Sequence, residues 1–355
     1  MNIADRSNVF YWQTDRNIEP LEAAQIWSDR HSAFNDEELS EAVNKELNNR
    51  IVHLESFNEN SHTNLGNINS VRLGKLDSGE EVVIRCHPKG VENGYFYAES
   101  LIAQTLINHG LPCYKTYAVH ELQNKNDFAF QVIEKLPGVP VQTWLEQNPN
   151  DEKKLINNVG ATMAKMHQIK TRAFGPFNND KAREGELVGL HETFRASLRA
   201  SLDFNLRVLI EMKILNASQE KLIKELFDRN PLLDFDDPVF VHNDFADWNQ
   251  LTDGEVITGI IDLDEAVSSH PVTDIACWST FFNPSRLDIF LEGYFSVSNE
   301  IKNFKELFEL LRFRYTISKM TLRLRKATWD DSEFLKEKIE AGKLHLAESL
   351  AHYGI

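Results

Sequence analysis

The chain is poor in several things that would have pointed elsewhere. Cysteine is scarce: Cys86, Cys113 and Cys277 are the only three in 355 residues. They are odd in number and lack metal-ligand spacing, which argues against a disulfide scaffold or zinc site and for the reduced thiols of a cytoplasmic protein. No apolar run approaches the ~20 residues needed to cross a bilayer. Residues 1–6 lack the basic start and apolar middle of a signal peptide, so no membrane is expected as a partner. Positive charge is also short. With 38 Lys and Arg against 54 Asp and Glu, the formal net charge is −16, and nucleic acid, which wants a basic face, is excluded as a partner. A glycine-rich phosphate loop is missing too. There is no internal repeat or low-complexity tract.

What is present is a globular composition, 42% hydrophobic, in a chain longer than the usual single domain, so two lobes are expected. The charge is unevenly placed: residues 231–285 contain no Lys or Arg but carry Asp234, Asp236, Asp237, Asp244, Asp247, Asp253, Glu255, Asp262, Asp264, Glu265 and Asp274. Such a stretch either concentrates magnesium and cationic substrates or serves solubility.

Within it lies the informative pattern. The run Val241-His242-Asn243-Asp244-Phe245-Ala246-Asp247-Trp248-Asn249 is followed by Gly259-Ile260-Ile261-Asp262-Leu263-Asp264. Gln250-Leu251, the turn Thr252-Asp253-Gly254-Glu255 and the β-branched run 256–261 read as a tight hairpin around an Asp-Gly signal. A hairpin returns the chain to its start, so Asn249 and Asp262 lie side by side and offer oxygen ligands to a hard cation, with Asp244 facing the same cleft. Phosphoryl transfer needs such a set, because positioning a hydroxyl and neutralising phosphate charge carry most of the rate.

His242-x-Asp244-x4-Asn249 with Ile261-Asp262-Leu263-Asp264 resembles the aminoglycoside phosphotransferase and choline kinase family. The resemblance implies a protein-kinase-like α+β fold, with a small antiparallel β-sheet nucleotide lobe and a larger, mainly helical lobe. It implies Asp244 as catalytic base or hydroxyl-orienting group, Asn249 and Asp262 as Mg2+ ligands, and His242 as a brace for the catalytic loop. Pro271-Val272-Thr273-Asp274-Ile275-Ala276 is similar to the family's Pro-x-x-Asp-Leu-Ala segment, with Asp274 bracing the site. The helical run 159–167 is similar to the helix ahead of the catalytic loop, and its His167 reads as packing.

The amino-terminal half is consistent with the same idea. Residues 50–57, 69–76 and 80–87 read as three strands, the last two joined by Asp77-Ser78-Gly79. The loop 58–68, with Ser61, Asn64, Gly66 and Asn67, is suited to lie over phosphates or is an ordinary turn. Having one glycine, it is neither a Walker loop nor Gly-x-Gly-x-x-Gly. Arg85 follows Val82-Val83-Ile84 where a kinase carries a strand lysine. Arginine keeps the charge but is not interchangeable with lysine, and Lys89 is the substitute candidate. Glu99, in the first turn of a helix over 97–107, resembles the glutamate that pairs with the strand cation. A first-turn acid is also favoured by the helix dipole alone. Residues 128–138 end on Pro137-Gly138 and look like the hinge strand, whose backbone from Glu134 to Leu136 would bond the purine.

The expected organisation is a helical extension over 1–50, holding helices near 20–27 and 36–47, a nucleotide lobe over 51–135 and a catalytic and acceptor lobe over 136–355. Residues 181–233 and 301–353 read as helical, with an apolar stripe through Leu198, Leu202, Leu206 and Leu209. Trp278, Phe281, Phe282 and Tyr294 are candidates for the acceptor wall or for core. Arg312, Arg314, Arg323, Arg325 and Lys326 either assist in compensating the nucleotide phosphates or read as a solvated helix face.

The resulting expectation is a kinase that uses ATP or GTP and Mg2+ to phosphorylate a hydroxyl of a small cationic or amino-bearing acceptor, an aminoglycoside-like antibiotic or an amino alcohol, working as a monomer or homodimer. The alternatives are a nucleotide-binding pseudokinase acting as a regulatory partner, and a protein kinase. The latter is disfavoured by the short distance from Asp262 to the next helix-opening segment and the lack of an Ala-Pro-Glu signal.

Overall fold

The computed structural model describes residues 35–47, 49–56, 70–87, 89–90, 95–281, 284–328 and 330–355. The expected helix near 20–27, the loop residues Asn64, Gly66 and Asn67, and Phe282 lie outside the described residues.

The chain begins with helix α1 (Asp36–Glu46), whose Asn35 side chain caps the first turn by accepting from the Glu37 and Glu38 N–H groups. Its apolar positions Leu39 and Val43 are buried against a five-stranded antiparallel sheet in the order β1-β2-β3-β5-β4. The strands are β1 (Ile51–Ser56), β2 (Ser70–Leu76), β3 (Glu81–Cys86), β4 (Thr116–His120) and β5 (Phe130–Glu134). The β2-β3 register, Val71 opposite Arg85 and Lys75 opposite Glu81, follows from the Asp77-Ser78-Gly79 turn, where Gly79 takes φ 88°, a left-handed value that glycine adopts without steric cost. Between β3 and β4 runs helix α2 (Phe96–Asn108). Its inner face, Ala98, Ile102, Ala103 and Leu106, joins the larger hydrophobic core rather than that of the sheet, so this helix ties the two parts of the molecule together.

After β5 the chain passes through Pro137-Gly138 into the helical lobe. The elements that position the site are β6 (Val139–Pro140), α3 (Val141–Gln147), α4 (Glu152–Met166), β7 (Phe174–Phe177), α5 (Asn179–Arg183), β8 (Gly189–His191), α6 (Phe194–Arg199), α7 (Leu202–Glu211) and α8 (Ala217–Arg229). They continue with β9 (Val239–Val241), β10 (Gln250–Thr252), β11 (Ile257–Ile260), β12 (Val267–Ser269), α9 (Val272–Ser279), α10 (Ser285–Phe295), α11 (Phe304–Lys326) and α12 (Glu333–Tyr353). The region expected to be helical between 181 and 233 does form α6, α7 and α8, with Leu202, Leu206 and Leu209 fully buried. A short strand pair, β7 with β8, was not anticipated.

Two of the aromatic candidates for an acceptor wall turn out to be core. Trp278 and Tyr294 are 1% and 0% exposed and pack on Phe290. The basic residues of α11 depart from a solvated face as well: Arg314 and Arg325 are 5% and 3% exposed. Helical periodicity placed them on one element but carried no information on what packs over it, and α7, α9 and α12 all pack against that helix.

Candidate active site

The site forms where two loops of the helical lobe meet β3 and α2. The hairpin β10-β11 pairs Gln250 with Ile260, and the Ile261 N–H donates to the Asn249 carbonyl at 3.0 Å. The chain therefore comes back beside Asn249 one residue before Asp262. The turn demands glycine: Gly254 has φ 92°, and a Cβ there would lie 2.1 Å from the Trp144 ring.

Asn249 and Asp244 are joined directly. The Asn249 Nδ2 donates to the Asp244 main-chain oxygen at 2.9 Å and to its carboxylate at 3.0 Å. With both amide hydrogens committed, Oδ1 is what Asn249 has left to offer an electropositive ligand. His242, fully buried, bridges the loops: Nε2 donates to the Ile261 carbonyl at 3.0 Å and Nδ1 accepts from the Asp244 N–H at 3.4 Å. Asp274, at the start of α9, accepts from the His242 and Asn243 N–H groups at 2.8 and 2.7 Å and from His167 at 3.2 Å, while the other ring nitrogen of His167 meets the Tyr294 hydroxyl at 2.8 Å. Asn243 and Asp262 both hold left-handed backbone, φ 68° and 63°. Non-glycine residues adopt that conformation at a cost, and it persists only where surrounding contacts fix it; here Asp274 and Ile261 supply them.

From the other lobe, Arg85 forms an ion pair with Glu99, which is 0% exposed, and reaches Asp262 at 3.3 Å. Burial opposes the guanidinium charge, but Glu99, then Tyr114, Asp262 and Asp264, outweigh it and raise the Arg85 pKa. Lys89 is elsewhere, paired with Glu38. The Asp262 side chain is 45% exposed, yet desolvation is the largest influence on its carboxyl. That desolvation, then Asp264, push its pKa well up, with Arg85 pulling the other way. Carboxylates that disfavour one another's charge at the base of a cleft suit a divalent cation, which would restore them to the ionised form. Among the described residues no group of three or more His, Cys, Asp and Glu could hold a metal. Magnesium does not require one, since it keeps several waters and uses one or two carboxylates, and the hard oxygens of Asn249 and Asp262 fit it.

A cation not foreseen from the sequence completes the cluster. Lys319 of α11 lies 3.4 Å from the Asp244 carboxylate and 3.6 Å from Glu265, over the Phe281 ring at 5.3 Å. Burial opposes its charge, but Glu265 and then Asp244 outweigh that and raise its pKa. Cations from other segments likewise meet the acid-only stretch 231–285: Arg286 pairs with Asp247, Arg195 with Asp234, Lys170 with Asp237 and Lys154 with Glu255. Much of the stretch's negative charge is therefore met by cations from elsewhere in the chain. At the lobe junction, the Glu134 N–H donates to the Lys115 carbonyl at 2.8 Å and its carboxylate accepts from the Lys115 N–H at 3.1 Å. Glu134 thus serves the sheet, and Leu136 stands two residues further on, directly before Pro137.

The family model described as the phosphotransferase enzyme family matches residues 64–306, well over half of the chain. Among solved structures, the aminoglycoside phosphotransferase APH(4)-Ia is similar at 17% identity and TM-score 0.60, over 88% of this chain and 99% of that one. A thermostable mutant of it, in a ternary complex with ADP and hygromycin B, gives 16% and 0.60, over 87% and 98%. A putative fructosamine-3-kinase from Thermobifida fusca gives 16% and 0.59, over 88% and 100%. These likenesses show the kinase-like fold. No curated protein matches the chain.

Proposed function

Because this chain belongs to the phosphotransferase enzyme family, we propose that it moves the γ-phosphate of ATP to a hydroxyl of a small, amino-bearing molecule, with Asp244 as the residue that orients the hydroxyl and receives its proton. Asn249 and Asp262 hold magnesium, and Arg85, set by Glu99, contacts the nucleotide phosphates. The backbone near Leu136 takes the purine. In the reaction the acceptor oxygen bonds to the γ-phosphorus as its proton passes to Asp244, the bond to the β–γ bridging oxygen breaks, and ADP leaves with that electron pair. Lys319 stands beside the carboxylate where charge is exchanged. Magnesium, when bound, neutralises phosphate charge.

The observation that carries this reading is the unbroken chain of contacts from Asp244 through Asn249 and the hairpin to Asp262 and on to Arg85 and Glu99. It joins the hydroxyl side of the cleft to the phosphate side. ATP as donor is supported by the ADP-bound relative, and an amino-bearing acceptor by the carboxylates of Asp264 and Glu265 next to the site. Positioned proton transfer contributes about 10²–10⁴-fold. Asp244→Asn should therefore lower magnesium-dependent ADP release by about that factor, and Asp262→Ala should abolish it while circular dichroism and melting still report a folded protein. Full turnover in the Asp262 variant would refute the assignment.

A further inference from the structure

A cavity of about 170 Å³ opens between α6, the start of α7, β7, the turn after Asp262 and α11. Asn243 and Lys319, which flank Asp244, line it together with Asp264 and Glu265. Its remaining charged group is Arg314. This side chain is 5% exposed; Nε donates to the Leu198 carbonyl at 2.8 Å, Nη2 to the Ser201 hydroxyl at 2.9 Å and Nη1 to the Asn205 side-chain oxygen at 3.3 Å. All three partners are neutral, and a guanidinium has five N–H donors. Among the described residues no carboxylate pairs with it. Desolvation, opposed only by the Tyr315 phenol and aided by the nearby Arg199 charge, pushes its pKa down to about 10. A buried cation without a counter-charge is costly, and one lining a cavity has room to acquire one.

We infer that this cavity seats the acceptor, and that the acceptor is a small hydroxy amino acid whose carboxylate docks on Arg314 while its hydroxyl reaches Asp244. The inference rests on the phosphotransferase reading above and narrows its substrate class. Arg314 and Lys319 are five residues apart on one helix, which sets the two ends roughly 7.5 Å apart along the axis. A planar fork of N–H donors matches a carboxylate in two-point fashion, and the acidic wall that holds Glu265, with Lys319 3.6 Å from it, is where the ammonium would lie. Size points the same way. A cavity of about 150 Å³ holds a benzene-sized molecule, whereas drug-sized ligands occupy about 300–1,000 Å³. The enclosed part of the seat therefore fits a compound of a few carbons.

The test uses matched pairs that differ only by the carboxylate: L-serine with ethanolamine, L-homoserine with 3-aminopropan-1-ol, and 5-hydroxynorvaline with 4-aminobutan-1-ol. Each is assayed for acceptor-dependent ADP release with magnesium and ATP, and titrated calorimetrically into the full chain carrying a non-hydrolysable ATP analogue. At least one acid should exceed its amino alcohol by 100-fold or more in kcat/KM. Arg314→Gln should collapse that ratio to within threefold, through KM. A merely structural arginine would instead lower both members of each pair alike and leave the ratio standing, as would a variant that has lost its fold. Equal use of both members of every pair, preferential use of sn-glycerol 3-phosphate or hygromycin B, or neither binding nor turnover of any acid, would each overturn the inference. Failure of the phosphotransferase reading is seen separately, as ATP turnover that survives Asp262→Ala.

Discussion

Arg85 and Arg314 are equally buried, at 6% and 5% exposure, and their surroundings are opposite. Arg85 has a fully buried glutamate as its partner and an aspartate beyond it, and its pKa rises. Arg314 has a carbonyl, a hydroxyl and an amide, and its pKa falls to about 10. The first is a finished internal pair, which holds a cation at a fixed place. The second is compensated only by dipoles and stays open to an anion. One molecule thus holds both solutions to burying a guanidinium, on the nucleotide side and on the proposed acceptor side of the same cleft.

The comparison can be broken most forcefully at Glu99. Glu99→Ala removes the fully buried partner of Arg85 and leaves it only the Asp262 carboxylate at 3.3 Å, and breaking a buried pair costs about 3–5 kcal/mol. Urea unfolding should show a loss of that size, and a loss under about 1 kcal/mol would mean that Arg85 is not held by the pair. A third way to bury a basic group sharpens the contrast. His270 is 7% exposed, its Nδ1 accepts from the Val272 N–H at 3.1 Å, and burial followed by the nearby His167 pushes its pKa down to about 3. The unfolded chain takes this proton first, so the contribution of His270 is complete above pH 6.5 and is lost as pH falls toward 3. At pH 5 the loss is about 2 kcal/mol, and unfolding measured from pH 7 to 5 should be flatter in His270→Gln by about that amount. The smallest effect is expected at Arg314. Arg314→Met removes an uncompensated charge together with three neutral hydrogen bonds, and the two should offset to within about 1 kcal/mol. Saturating carboxylate acceptor should stabilise the native protein by about 2.7 kcal/mol at 100 times its Kd, and Arg314→Met by much less.

Much of the site was legible because its signals are local. The hairpin follows from Asp253-Gly254 between β-branched runs, and once it closes, Asn249 and Asp262 are neighbours wherever the rest of the chain goes. The Arg85 and Glu99 pair was legible only through family resemblance, since a first-turn glutamate and a strand arginine are common apart. Lys319 escaped, and Arg314 was placed on a solvated face, for one physical reason. They lie on α11, more than fifty residues after Asp262, and their contacts depend on how that helix packs against α7 and α9. Nothing in their own neighbourhood in sequence marks them. The acid-only stretch misled in the same manner, because its counter-ions come from segments as distant as Lys154 and Arg286.

The nine residues between Asp262 and Val272 have a consequence for control. Leu263–Glu265 is a single tight turn, and β12 follows at once, hydrogen-bonded to β7 on one edge and β9 on the other. Nothing in that span is slack enough to swing out, be modified and swing back. Control through an activation loop, of the kind a longer connection here would permit, is therefore not built into this part of the fold.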